Sequence, residues 1–277
     1  MSHPVGIMQG RLLPPFEGRF QAFPAVGWQE EFPRARAAGL AGIEWIYEIP
    51  HEDENPLRTD EGLAQMRRLM GETGVLVRSI CADCCMQSPL VVDGRPQRIR
   101  VDHLEWLLAR AAALGAWYVV LPFVDASSLR TAADRDALRA VLGEVLPVAR
   151  RLGVEIHLET DLPPQEFTGM LAGFDDRWLK ANHDIGNSAA LGHDPDEELR
   201  ILGPRIGSVH VKDRVLRGAS VALGTGNADF PSSFRLLRAA GYARPFILQA
   251  SRGVEGEETT WAGHNREFVE RQLAALP

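Results

Sequence analysis

The chain has 277 residues, 45% hydrophobic and 24% charged, with 30 basic and 37 acidic residues and a net charge of −7. No basic block stands out, which argues against a nucleic-acid partner, because duplex binding rests on phosphate neutralisation by Lys and Arg. No run of about 18 apolar residues exists, so no membrane span is expected, and MSHPVGIMQGRL lacks the basic-then-apolar pattern of a secretion signal.

In chain order, short β-rich runs alternate with amphipathic stretches of helical length. The first strand is expected at 5–9 (VGIMQ) and runs into Gln9 and Arg11. The segment 12–28, LLPPFEGRFQAFPAVGW, is too apolar for a plain linker. It is read as a lid over a site or as a contact with a second subunit, in a homodimer or homotetramer. A helical pattern at 30–39 leads to a second strand at 41–47, with Glu44, Trp45 and Tyr47 at its end. A helix at 61–74 precedes a third strand at 75–82. Three cysteines follow closely, Cys81, Cys84 and Cys85; an odd cluster argues against a disulfide framework and fits a reducing cytoplasm. Helices at 99–115 and 131–153 flank a fourth strand at 117–123, and the fifth strand is VEIHLE, 154–159. Strands at 179–184, 206–211 and 245–250 complete the series, with helices at 164–173, 194–203, 230–241 and 258–276 between and after them. Many of these helices close on Gly, which tolerates the left-handed cap.

Eight strand–helix units in this length predict one α/β domain over residues 1–277, a single (β/α)8 TIM barrel. An open doubly wound sheet would show a Gly-rich phosphate loop after its first strand; here GRLLPP follows instead.

Chemistry in such a barrel gathers at the C-terminal strand ends. Four successive strands end in Glu159 (HLETD), Asp184 (ANHDIGN), His210 (SVHVKD) and Gln249 (ILQAS). Three oxygens and one nitrogen suit one divalent ion, Mn2+ first and Co2+, Mg2+ or Zn2+ as alternatives. Lys212, two residues after His210, points to the same face. It contacts a sugar hydroxyl or phosphate, donates a proton, or pairs with a carboxylate such as Asp213. Asn187 either orients a substrate hydroxyl or satisfies its own turn. Glu44 suits hydroxyl recognition, or packs beneath the first loop. Gln9 sits at the first strand end, and Arg11, Arg217 and Arg252 are candidates for a substrate phosphate.

HLETD, HDIGN, SVHVKD and LGTGNADF followed by FILQ resemble the xylose-isomerase-like superfamily of metal-dependent TIM barrels. The resemblance is greatest to its sugar and sugar-phosphate isomerase/epimerase branch: ketose 3-epimerases, L-xylulose-5-phosphate 3-epimerases and hydroxypyruvate isomerases. It implies metal ligation by Glu159, Asp184, His210 and the residue at 249. It also implies that two ligand glutamates act as proton-transfer bases, one on each substrate face. Glu159 matches the first, but the second is Gln249. A neutral amide can coordinate a metal yet cannot accept a substrate proton.

Three routes follow from that departure. Glu159 alone could shuttle a proton on one face, giving aldose–ketose isomerisation. Another group, such as Lys212 or His183, could replace the missing partner. Or the reaction could be an elimination from a keto-polyol, as in inosose dehydratases. The leading expectation is a metal-dependent isomerase or epimerase of a sugar or sugar phosphate. The dehydratase is the alternative, and a sugar-binding relative without activity ranks below it. An apurinic-site endonuclease shares the barrel but holds three zinc ions through many more histidines, and grips DNA with a basic face that this acidic chain lacks.

Overall fold

The computed structural model describes residues 3–175 and 177–276; Met1, Ser2, Asp176 and Pro277, which the 1–277 domain reading includes, lie outside the described residues. Its strands are β1 (Val5–Met8), β2 (Gly42–Ile46), β3 (Leu76–Cys81), β4 (Tyr118–Phe123), β5 (Glu155–Thr160), β6 (Leu179–Asp184), β7 (Ile206–Val211) and β8 (Phe246–Leu248). Each coincides with a predicted strand. All pair in parallel with their sequence neighbours, and β1 pairs with β8 to close the barrel. Parallel strands covered on both faces need apolar residues throughout, which is why YVVLPF in β4 is buried at every position.

The intervening helices are α1 (Glu31–Ala37), α2 (Asp60–Thr73), α3 (Arg98–Leu114), α4 (Ala132–Leu152), α5 (Pro164–Leu171), α6 (Pro195–Leu202), α7 (Phe230–Ala239) and α8 (Glu258–Ala274). Helix α4 shows how sequence sets its limits. The Thr131 side chain accepts from Asp134 N and Asp134 accepts from Thr131 N, while Gly153, at φ 71°, ends the helix in the left-handed region. The apolar stripes of these helices pack on the outer faces of the strands. There the Phe32 ring of α1 lies 6.2 Å from Trp45 and the Phe234 ring of α7 5.0 Å from Phe246, centroid to centroid.

The sequence reading missed two short helices, Cys84–Gln87 and Ile185–Leu191, and two hairpins, 91–92 with 95–96 and 213–214 with 220–221. Each lies in a loop at the C-terminal side of a strand. The residues after Asp184 therefore form a helix, where the sequence had suggested only a turn.

The barrel interior carries a chain of polar contacts. Alternation aims Ser208 and His210 of β7 inward while Val209 and Val211 face the helices. Arg244 makes two bonds to the Glu155 carboxylate, at 2.8 and 2.9 Å, and Glu155 meets His157 Nε2 at 3.0 Å. His157 Nδ1 meets Ser208 Oγ at 2.8 Å, and Ser208 Oγ donates to Asn182 Oδ1 at 2.7 Å. The Asn182 amide then lies 3.2 Å from His210 Nδ1. Buried polar groups demand partners, and this chain supplies them from one end of the barrel towards the other.

Candidate metal centre and substrate cavity

Glu159, Asp184 and His210, from β5, β6 and β7, converge at the C-terminal rim. One ligand-capable atom from each lies within 4.8 Å of the others, and all three residues are buried. His210 Nδ1 faces the two carboxylates, 3.7 Å from Glu159 Oε2 and 3.9 Å from Asp184 Oδ2. Its Nε2 donates to Glu44 Oε1 at 2.6 Å. Burial works against the imidazolium, but Glu44, Glu159 and Asp184 outweigh it and hold the His210 pKa up at about 9. Burial and the neighbouring Asp184 push the Glu159 carboxyl up, against the pull of His210 and Lys212.

Asp184 divides its oxygens. Oδ1 accepts from Asn187 N at 2.8 Å, capping the short helix, while Oδ2 meets Lys212 Nζ at 2.9 Å. Asn187 then donates through Nδ2 to Glu159 Oε1 at 2.8 Å and accepts at Oδ1 from Arg214 at 2.8 Å. Gly186 lets this helix lie against β7, since a Cβ there would stand 2.7 Å from the Lys212 carbonyl oxygen. Asp213 is held by Gly224 N and Gly226 N at 2.9 Å and Ala228 N at 3.1 Å, so LGTGNAD is a backbone cradle for that carboxylate. The pairing of Lys212 with Asp213 suggested by sequence gives way to pairing with Asp184.

The residues present fit a divalent ion. Two carboxylates and an imidazole point at one place, and Glu44 fixes the ring that would donate from Nδ1. Gln249 Oε1 is buried without a hydrogen-bond partner, while its Nε2 donates to Gln21 Oε1 at 3.0 Å. A buried carbonyl oxygen without a partner calls for an explanation, and a donor role toward an ion is one its chemistry fits.

A cavity of about 530 Å³ opens over these groups, lined among others by Glu159, Asn187, Lys212, Arg217 and Gln249. Gln9, Arg11, Glu44 and Arg252, read from sequence as substrate contacts, are not on its described wall, and each is engaged elsewhere. Gln9 Oε1 accepts from Ile46 N at 2.9 Å. Glu44 is fully buried on His210. Arg252 donates to the carbonyls of Gly10, Leu13 and Phe20, at 2.7 to 3.0 Å. Arg11 donates to Phe20 O and Gln21 Oε1 and stacks on the Phe20 ring. These two guanidiniums fasten the 12–28 segment, and Phe20 and Gln21 from it form part of the cavity wall. Sequence reasoning missed Gln21, Asp83 and Arg214, which also line the cavity. Gln21 and Asp83 lie in loops and Arg214 in a two-residue hairpin strand, where no periodicity marks a side chain as facing a cavity.

The family model described as xylose isomerase-like TIM barrel matches residues 32–272. The L-ribulose-5-phosphate 3-epimerase UlaE of Escherichia coli is 26% identical over 262 residues, covering 89% of this chain and 90% of that protein. A solved L-ribulose 3-epimerase superposes with a TM-score of 0.74 at 21% identity, covering 99% of this chain and 95% of that one. A xylose isomerase-like TIM barrel protein from Mycobacterium smegmatis, solved in complex with magnesium, does so with a TM-score of 0.71 at 20% identity, covering 100% and 98%. Among the described residues, no helix is long and apolar enough to cross a membrane.

Proposed function

Because the chain belongs to the xylose isomerase-like TIM barrel family, we propose that it is a divalent-metal-dependent epimerase or isomerase of a ketose or ketose phosphate. The observation that carries this reading is the meeting of Glu159, Asp184 and His210 within 4.8 Å, with Gln249, whose Oε1 has no hydrogen-bond partner, on the same cavity wall as Glu159. These four residues would hold the ion, with Mn2+ or Mg2+ the leading choices for a mainly oxygen-donor set. When bound, such an ion supplies Lewis-acid polarisation of a carbonyl and stabilises charge on the neighbouring oxygens.

This chain's own residues do the rest. Glu159, as a carboxylate, removes the proton from the carbon beside the carbonyl, C3 of a 2-ketose, leaving an enediolate. Asn187 holds the Glu159 carboxylate in its orientation, and Lys212 Nζ, 2.9 Å from Asp184 Oδ2, holds that side chain in place. Lys212 and Arg217 also line the cavity. These cations suit the hydroxyls or phosphate at one end of a sugar. The segment 12–28 serves as a fixed lid that keeps water from the enediolate. Gln249 cannot carry a proton, so inversion requires a further acid.

The test is a panel of ketoses and ketose phosphates, including L-ribulose and L-ribulose 5-phosphate, assayed with Mn2+ or Mg2+ in D2O. Deuterium entering C3 with formation of the epimer is the expected result. Label at C1 or C2 would mark aldose–ketose isomerisation, and an enone absorbance would mark dehydration. No exchange with any sugar would contradict catalysis and leave a binding protein.

A further inference from the structure

Gln249 leaves the cavity one acid short of an inversion, and a carboxyl group on the same wall is linked to it through the Gln21 amide. Asp83, in the loop after β3, is 4% exposed and shares the cavity wall with Glu159. Among the described residues, two other carboxylates reach that wall: Asp125 is exposed, and Asp161 is half-buried and accepts from Ser128. Of these four described carboxylates, only Asp83 and Glu159 are buried.

The Gln21 amide fixes where Asp83 stands. Its Nε2 donates to Asp83 Oδ2 at 2.8 Å, and its Oε1 accepts from Gln249 Nε2 at 3.0 Å. Asp83 is thus on the Gln249 side of the cavity, one amide away. Its other oxygen accepts from the Cys81 thiol at 3.1 Å. Both direct partners are neutral. Burial raises the Asp83 pKa to about 6, and the bonds from Gln21 and Cys81 offset this only in part. Acid and carboxylate forms are then both within reach near neutrality, as a proton donor requires. The two replacements suggested by sequence fit less well. Lys212 is bound to Asp184, and His183 is off the described cavity wall, with its Nδ1 3.7 Å from Glu198.

We propose that Asp83 is the second catalytic residue, exchanging a proton with the substrate from the Gln249 side while Glu159 serves the other side. This rests on the epimerase reading above. Glu159 takes the C3 proton, and the electron pair of that C–H bond passes into the enediolate. Asp83 as the acid gives its proton to the same carbon, forming the new C–H bond. Glu159 ends protonated and Asp83 ionised; a proton returned through solvent restores both, and nothing is oxidised or reduced.

The test is Asp83→Asn, with its fold checked by circular dichroism and its Mn2+ affinity by calorimetry, assayed on the same ketose panel in D2O. Epimer formation is expected to fall by about 100-fold or more, while deuterium still enters C3 of the unconverted ketose. Adding Gln249→Glu to Asp83→Asn is expected to restore inversion by about tenfold or more, because a carboxyl then returns to that side. A folded Asp83→Asn chain that inverts like its parent, or that loses exchange and inversion together and is not rescued by Gln249→Glu, overturns the assignment. A parent chain that neither exchanges nor inverts any ketose overturns the epimerase reading itself, and this assignment with it.

Discussion

A carboxylate at a strand end can serve substrate, metal or scaffold, and its partners decide which. Glu44 sits at a strand end like the candidate ligands, yet it accepts from His210 Nε2 at 2.6 Å and has no exposed surface. Its expected role is to orient the imidazole. Glu44→Gln should weaken Mn2+ binding by about 10- to 100-fold, read by calorimetry, because outer partners of metal ligands contribute on that scale. Glu31, which opens helix α1 rather than ending a strand, illustrates the scaffold case. It is fully buried and accepts from Gly10 N at 2.6 Å. Burial raises its pKa from 4.5 to about 7, against hydrogen bonds that lower it. Between those two values the folded chain keeps a proton that the unfolded chain releases, so stability falls as pH rises through the window and levels off above it. Glu31→Gln should flatten that part of the curve, by about 3 kcal/mol at most, in urea melts taken at pH 4.5 and pH 7.5.

The two elements that shape the cavity are the Ile185–Leu191 helix and the 12–28 segment. The first depends on a missing side chain: a Cβ at Gly186 would press on the Lys212 backbone. Gly186→Ala should destabilise by about 1–3 kcal/mol and reduce turnover further, because the helix carries Asn187 onto Glu159. Denaturant midpoints beside kcat would show both effects. The second element depends on Arg252, whose three bonds gather the carbonyls of Gly10, Leu13 and Phe20. Arg252→Met should loosen residues 12–28, seen as faster amide exchange there. The barrel strands should stay protected, because their hydrogen bonds lie in the closed sheet.

At the scale of the whole molecule, most of the eight strands were legible because a parallel barrel covers both faces of each strand, so segments such as YVVLPF and IGSVHV read as bounded, mainly apolar runs. Polar residues ending four of those runs pointed at the rim, and the structure brings Glu159, Asp184 and His210 to one spot. What the sequence did not reveal lies in contacts closed by the fold. Gln21 and Asp83 are 62 positions apart and joined by one hydrogen bond, and no local pattern announces either. Gln9, Arg11 and Arg252 resembled substrate contacts because inward and loop-fastening side chains look alike until the barrel closes. An ion held by the buried Glu159, Asp184 and His210 side chains would bind the folded chain and not the unfolded one, so binding should stabilise the entire chain. An excess of Mn2+ near a hundred times its Kd should raise the melting temperature by about 5 °C, and chelation should reverse it. The most direct measurement is anomalous diffraction from Mn2+-soaked crystals. The expected result is one strong peak about 2.0–2.4 Å from Glu159, Asp184, His210 Nδ1 and Gln249 Oε1. No peak at this rim, or one held by other residues, would contradict the account.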